Sequence, residues 1–343
     1  MDQTLSVLLI VAGSALVVVT IVDAIGGFFR IGASAGILTR PFEDLVSRVV
    51  LWWVRRSRNR NQLNLLGAYC VATRTVVSVT MLWLGWSLLY VSSEEAAVIA
   101  SSGAIASTLE RFYFAGYVVS TLGLGDIKPG NDTWRMVTTF ASLSGFLFLT
   151  FVVSFMVTIA SQISQRRSVA MAIISAGDGP YAVLERYRSG DIVDLGPLVS
   201  LLALPVITSA EASTNLPLLH RFHTSDTLAS YAVAIARLNE TLTILEHGCK
   251  SDPDPQIALL RHGIDMIADS LPGQWRDDAV AAPPALTPLR ASGFICASDD
   301  AFADAMVEAR VRYRRNRLKN MVETLGFSWD RDVYRNAGDS VLP

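Results

Sequence analysis

The chain has 343 residues, 51% of them hydrophobic and only 17% charged, with a mean hydropathy of +0.38. That is too apolar for an ordinary soluble protein and predicts a membrane part joined to a soluble part. The formal net charge of −2 gives no electrostatic basis for a nucleic-acid partner. Charge is uneven: residues 1–163 carry 11 basic and 9 acidic side chains, residues 164–343 carry 18 and 22.

Residues 4–29 are apolar apart from Asp23. About 20 helical residues at 1.5 Å each cross the ~30 Å hydrocarbon core, so the stretch is long enough for one span. No positive region precedes it, and it is too long for a signal-peptide core, so residues 1–30 are expected to be an uncleaved transmembrane helix. Residues 31–62 form a basic linker. Between 30 and 60 stand seven arginines (Arg30, Arg40, Arg48, Arg55, Arg56, Arg58, Arg60) against Glu43 and Asp44, which places the segment on the cytoplasmic side. Phe42, Leu45, Val46, Val49, Val50, Trp52 and Trp53 recur near helical spacing. That pattern over 41–56 suits an amphipathic helix lying at the inner interface. A second span there stays open, at the cost of placing Arg48 mid-membrane.

Residues 63–167 contain two spans with a short element between them. The first span, 65–91, is followed by a small, polar external loop carrying Glu94 and Glu95. Residues 108–119 are too short to cross and carry Phe112, Tyr113, Phe114 and Tyr117. They are expected to form a re-entrant helix with Thr108 as N-cap; Arg111 three residues on gives no capping box. Residues 134–163 form the last span, ending at Gln165-Arg166-Arg167. Both inner boundaries are then basic, which puts the N-terminus outside and the rest of the chain in the cytoplasm.

Residues 168–343 read as a soluble helical domain. Apolar residues recur at three-to-four spacing over 225–247, 255–271 and 299–325. Gly190, Gly196, Pro197, Pro205 and Pro217 break the region before these helices, and Pro272-Gly273 and 281–288 are linkers. No Gly-x-Gly-x-x-Gly follows a strand, no EF-hand spacing occurs and no Ser/His/Asp set stands out, so no enzyme activity and no organic cofactor are expected. Asp252, Asp254 and the Asp299, Asp300, Asp304, Glu308 series read as solvated helix starts, and His220 and His223 as surface or structural residues. The dense run of Arg310, Arg312, Arg314, Arg315, Arg317 and Lys319 reads as a solvated face or an inter-subunit salt-bridge belt, with anionic lipid heads as the remaining alternative. Cys70, Cys249 and Cys296 are far apart in sequence and read as isolated thiols.

The most informative stretch is Ser120-Thr121-Leu122-Gly123-Leu124-Gly125-Asp126-Ile127-Lys128-Pro129. Glycines at alternate positions permit backbone conformations that side chains forbid. Thr-x-Gly-x-Gly-Asp, after a short aromatic helix and before a membrane helix, resembles the selectivity filter of the potassium-channel family. The resemblance covers about residues 65–165. It implies an all-α membrane protein with a pore-loop channel fold, a re-entrant pore helix and filter, and a helical cytoplasmic domain. It also implies a homotetramer in the plasma membrane, because one chain supplies one filter loop. K⁺ would be the transported ion, held by the backbone of Thr121, Leu122, Gly123, Leu124 and Gly125, with Asp126 at the outer mouth.

Leu122 and Leu124 depart from the usual Val and Tyr, and Tyr117 stands where some members place an acid. The hydroxyl that normally braces the filter is therefore missing, and packing of Leu124 against pore-helix aromatics is the expected substitute. Gly145, nineteen residues after Asp126, matches a hinge glycine of related channels, although close helix packing explains a glycine there equally well. Leu149, Val153 and Val157 follow it on one face as the expected cavity wall. Asp23 and Arg74 lie within spans at estimated depths of about 9 and 14 Å, which suggests an ion pair. A weakly selective cation channel and a non-conducting, channel-like receptor or scaffold are the alternative functions. The regulatory ligand of residues 168–343 is not legible.

Overall fold

The computed structural model describes residues 3–29, 39–57, 66–190, 192–216, 219–220, 222, 224, 226–249, 255–271 and 281–334. Expectations for Arg30, Arg58, Arg60, Pro217, His223, Asp252, Asp254 and Pro272-Gly273 lie outside these residues. The fold is all-α apart from two short two-stranded sheets among the described residues. It divides into two compact units, Met1–Ser57 with Ala68–Ile159, and Arg58–Gly67 with Ala160–Pro343.

The first unit contains α1 (Gln3–Phe29), α2 (Arg40–Ser57), α3 (Leu66–Val91), α4 (Thr108–Val119) and the start of α5 (Asp132–Ala176). α1, α3 and α5 are long and apolar enough to cross a membrane. At 1.5 Å per residue α5 is about 67 Å long, roughly twice the hydrocarbon thickness. It does not stop at Gln165-Arg166-Arg167 as expected. Charged residues solvate a helix without breaking it, and the first glycine or proline of that stretch is Gly177.

An aromatic column on α3 ties this unit together. Trp83 Nε1 donates to the Phe112 carbonyl of α4 at 3.0 Å, Trp86 Nε1 to Ser144 Oγ of α5 at 3.0 Å, and Tyr90 Oη to Thr138 Oγ1 at 3.1 Å. Each polar tip thus finds a partner, and the rings of Trp86 and Tyr90 fill the core with Val17, Leu82, Phe114 and Phe148, while Trp83 stays exposed.

The Asp23–Arg74 pair does not form. Arg74 pairs with Glu43 of α2 at 3.7 Å and lies over the Phe155 ring, while Asp23 accepts from Thr39 Oγ1 at 3.3 Å. One helical turn along from the Glu43–Arg74 pair, Ser47 Oγ meets Cys70 Sγ at 3.5 Å. Equal depth along two helices does not make their faces meet; the i, i+4 spacing of 43/47 and 70/74 docks α2 antiparallel on α3. α2 correspondingly exposes Phe42, Leu45, Val49 and Trp52 along its other side.

The second unit takes the end of α5 and continues through α6 (Pro180–Arg186), α7 (Gly196–Asn215), α8 (Tyr231–Gly248), α9 (Pro255–Ser270), α10 (Thr287–Ala291), α11 (Asp299–Val307) and α12 (Ala309–Thr324). Its Arg188–Ser189 and Ile192–Val193 strands form a hairpin around Gly190, where no strand was expected. Three helix expectations are corrected. Pro205 does not end a helix but sits inside α7. The carbonyl it leaves free belongs to the exposed Leu201, where water can satisfy it. The 225–247 helix starts at Tyr231, with Ser230 as N-cap. The 299–325 helix is two helices, broken at Glu308 by an extended ψ of 132°. α7 also has the length and hydropathy of a span by composition alone, yet Leu198, Val199, Leu202 and Val206 lie in this unit's core against α9.

α8 is the hub: every residue from Ala232 to Leu245 is buried, polar ones included. Glu240 and Arg315 form an almost fully enclosed pair at 3.0 Å, and Tyr334 Oη donates to the same carboxylate. Arg261 is clamped by Glu246 at 2.7 Å and by Asn239 Oδ1 at 2.8 Å. The middle of the basic run is therefore not a solvated face, although Arg310 stays exposed. Arg314, Arg315 and Arg317 are buried, and they bond to Asp265, to Glu240 and to the Ala268 carbonyl of the same unit. Period counting misread them because α12 runs through a polar core that supplies carboxylates from α8 and α9.

Candidate functional site

The site is built around α4 and the loop that leaves it. α4 starts one residue earlier than expected, with Ser107 as N-cap and a capping box: the Ser107 hydroxyl accepts from the Glu110 N–H, and the Glu110 carboxylate accepts from the Ser107 N–H at 2.7 Å. The Ser-x-x-Glu signature was present in the sequence. Two hydrogen bonds to Ser107 hold the Glu110 carboxyl below its ordinary pKa. Arg111, one residue on, is buried and donates to the carbonyls of Ala106, Val91 and Ser93, anchoring the α4 start to the C-terminal end of α3.

At the other end of α4 the chain turns back tightly. The Thr121 N–H donates to the Val118 carbonyl at 3.0 Å and the Leu122 N–H to the Tyr117 carbonyl at 2.9 Å. From there the backbone alternates: Thr121 (φ 61°), Gly123 (φ 60°) and Gly125 (φ 80°) occupy the left-handed region, and Leu122 and Leu124 do not. Such alternation turns successive peptide groups to one side instead of to opposite sides as in a strand. A β-branched threonine at positive φ is strained by about 1–3 kcal/mol and is held there only by its surroundings. A Cβ on Gly123 or Gly125 would meet nothing within 4 Å, so it is the positive φ that demands glycine.

The segment after the loop is braced on two sides. Val98–Ile99 (β1) pairs antiparallel with Ile127–Lys128 (β2), and the Ala100 N–H donates to the Asp126 carbonyl at 2.8 Å. On the α4 side, Tyr117 Oη donates to the Ile127 carbonyl, and burial together with the nearby Asp126 carboxylate raises the Tyr113 hydroxyl above its ordinary pKa. The expected brace, Leu124 packed on Tyr113, Phe114 and Tyr117, is not formed within the single chain. Leu122 and Leu124 are 65% and 54% exposed within the chain. The Tyr117 hydroxyl on α4 ties the segment after the loop back to the helix. The aromatic character of Tyr117 was visible in the sequence; its hydroxyl partner, ten residues on, was not.

Gly145 resolves toward contact. A Cβ there would stand 1.9 Å from the Val119 carbonyl oxygen, and α5 runs through the position unbroken. The glycine lets α5 pass directly against the last residue of α4, where the loop begins, so the hinge role is not needed to explain it. Leu149, Val153 and Val157 share one exposed face of α5 in the single chain, while Phe148 turns into the core. Asn131 caps α5, accepting from the Trp134 N–H at 2.9 Å, and donates to Glu95 at 2.6 Å.

Residues 76–162 match the family model described as "Ion channel". The chain is also similar to "Uncharacterized membrane protein YdjJ" of Bacillus subtilis (strain 168). The two are 27% identical over 329 residues, covering 93% of this chain and 94% of that protein. No solved structure matches the chain. The chain is a membrane protein with an all-α ion-channel domain in its first half and an additional helical domain.

Proposed function

We propose that the chain is one subunit of a homotetrameric potassium channel. The observation that carries the reading is the alternation of left-handed backbone at Thr121, Gly123 and Gly125, directly after a capped helix too short to cross a membrane. Four such loops around an axis present rings of carbonyl oxygens that replace the hydration shell of a dehydrated cation. The Thr121 hydroxyl adds the innermost ring. The C-terminal end of α4, with its partial negative charge, points at the ion just before it enters the loop. Asp126 supplies negative charge at the outer mouth and raises the local cation concentration. Leu149, Val153 and Val157 line the cavity on the inner side, where an apolar constriction gates by dewetting.

The same reading orients the chain in the plasma membrane. The arginine-rich segment after α1 lies inside, the N-terminus outside and the second unit in the cytoplasm. α2 then lies at the inner interface, with Phe42, Leu45, Val49 and Trp52 toward lipid and Glu43 and Ser47 toward α3.

The test is the reversal potential of the purified protein in planar bilayers under opposed K⁺ and Na⁺ gradients. A reversal near the K⁺ equilibrium potential, lost in Gly123→Ala, is the expected result. A reversal near zero establishes a weakly selective cation channel instead. Absence of current under every gradient overturns the channel reading.

A further inference from the structure

Cys249 ends α8, and Cys296 lies two residues before Ser298, the N-cap of α11. Forty-seven positions apart in sequence, they are direct partners in an isolated antiparallel bridge. The Ala297 N–H donates to the Gly248 carbonyl at 3.0 Å, which makes 249/296 a non-hydrogen-bonded pair. In such a pair the Cα atoms stand about 4.5 Å apart and the side chains approach most closely. That separation falls within the window of about 4.4–6.8 Å that a disulfide spans. Both cysteines are free thiols, and both side chains are partly exposed. Cys70, by contrast, is buried against Ser47 in the other unit.

We infer that Cys249 and Cys296 are a reversible intrachain dithiol–disulfide pair that exchanges with low-molecular-weight thiols and disulfides. Cys296 makes the first attack. Burial raises both thiols, Cys249 to about 12, but at Cys296 the neighbouring Arg290 guanidinium offsets part of the rise. The Cys296 thiolate attacks one sulfur of a small disulfide, whose S–S bond breaks and releases one small thiolate. Cys249 then loses its proton and attacks the Cys296 sulfur, displacing the second small thiol. In balance, two protein thiols are oxidised to one disulfide while one small disulfide is reduced to two thiols. The new bond closes a loop carrying α9 and α10 and ties the end of the buried hub α8 to the start of α11. A crosslink over a loop of that length stabilises chiefly by restricting the unfolded chain, and it makes the second unit's stability follow the surrounding thiol poise.

The experiment equilibrates the full-length protein in detergent with oxidised and reduced glutathione at graded ratios, then acid-quenches, alkylates and maps peptides by mass. Cys249 and Cys296 are expected to lose alkylation together, to appear as one linked peptide within a single chain, and to recover with excess reductant. The thermal midpoint of the native protein rises on oxidation by several degrees, on the order of 5 °C. Cys249→Ser and Cys296→Ser, near-isosteric changes, keep the reduced midpoint and lose the rise. Independent alkylation of the two cysteines at every ratio, a lasting glutathione adduct on Cys296 without the second step, or a crosslink between chains each overturns the inference. Ion flux is not the readout, so the outcome stands apart from the channel reading.

Discussion

Tyr117→Phe removes one oxygen atom per chain and tests how the loop is held. Tyr117 is 6% exposed, and its hydroxyl donates to the Ile127 carbonyl, the first residue beyond Asp126. The ring remains in its edge-to-face contacts with Tyr113 and Phe114, at 5.3 Å each, so packing is preserved. What changes is that a largely buried carbonyl loses its donor, which costs about 1–3 kcal/mol. That rivals the strain of about 1–3 kcal/mol stored in each positive-φ threonine, so the loop should relax away from its alternating conformation. The β1–β2 ladder remains, and outright unfolding of the segment after the loop is not expected. The assay is the bi-ionic K⁺/Na⁺ reversal potential, measured at high and at low K⁺. The expected outcome is poorer discrimination and faster loss of current at low K⁺. Tyr113→Phe, which removes the hydroxyl beside the Asp126 carboxylate, should act in the same direction. A Tyr117→Phe protein with native selectivity and native low-K⁺ behaviour would refute the hydroxyl brace.

Three further perturbations have definite outcomes. Gly145→Ala places a methyl 1.9 Å from the Val119 oxygen; overpacking of this kind costs about 1–3 kcal/mol, so both the thermal midpoint and ion flux should fall, whereas an unchanged midpoint with altered gating would restore the hinge. Glu240→Ala strands the Arg315 guanidinium in the core of the second unit and should cost about 3–5 kcal/mol in urea denaturation, with Glu240→Gln less severe. Asp332 sets an acid limit. Burial raises its pKa, but the hydrogen bonds from Arg331 and the Ser328 N–H outweigh that and leave the carboxyl below its ordinary value. A depressed carboxyl contributes stability that is present above its unfolded pKa of about 3.9 and is lost as pH falls through the folded value. The second unit should therefore weaken below about pH 4, and Asp332→Asn should show a flatter acid limb in thermal melts at graded pH.

What the sequence determined by itself is what local chemistry determines. Hydropathy over a window reports whether a helix can cross a membrane, and α1, α3 and α5 follow from it. Alternate glycines report where backbone must enter the left-handed region, and Gly123 and Gly125 do so. Even the capping box of α4 was written in Ser107 and Glu110, three residues apart. Only the tertiary structure decided which faces meet. Arg74 finds Glu43 and not Asp23, because the partner depends on how α2 lies on α3. Gly145 admits the Val119 carbonyl, and Tyr117 reaches Ile127 across the turn. Arg315 is buried because α8 supplies Glu240 from 75 residues away. Cys249 and Cys296 face each other only because α8 ends where α11 begins. Periodicity encodes the exposure of a residue on its own helix; the side chain opposite belongs to another part of the chain, and no local spacing records it.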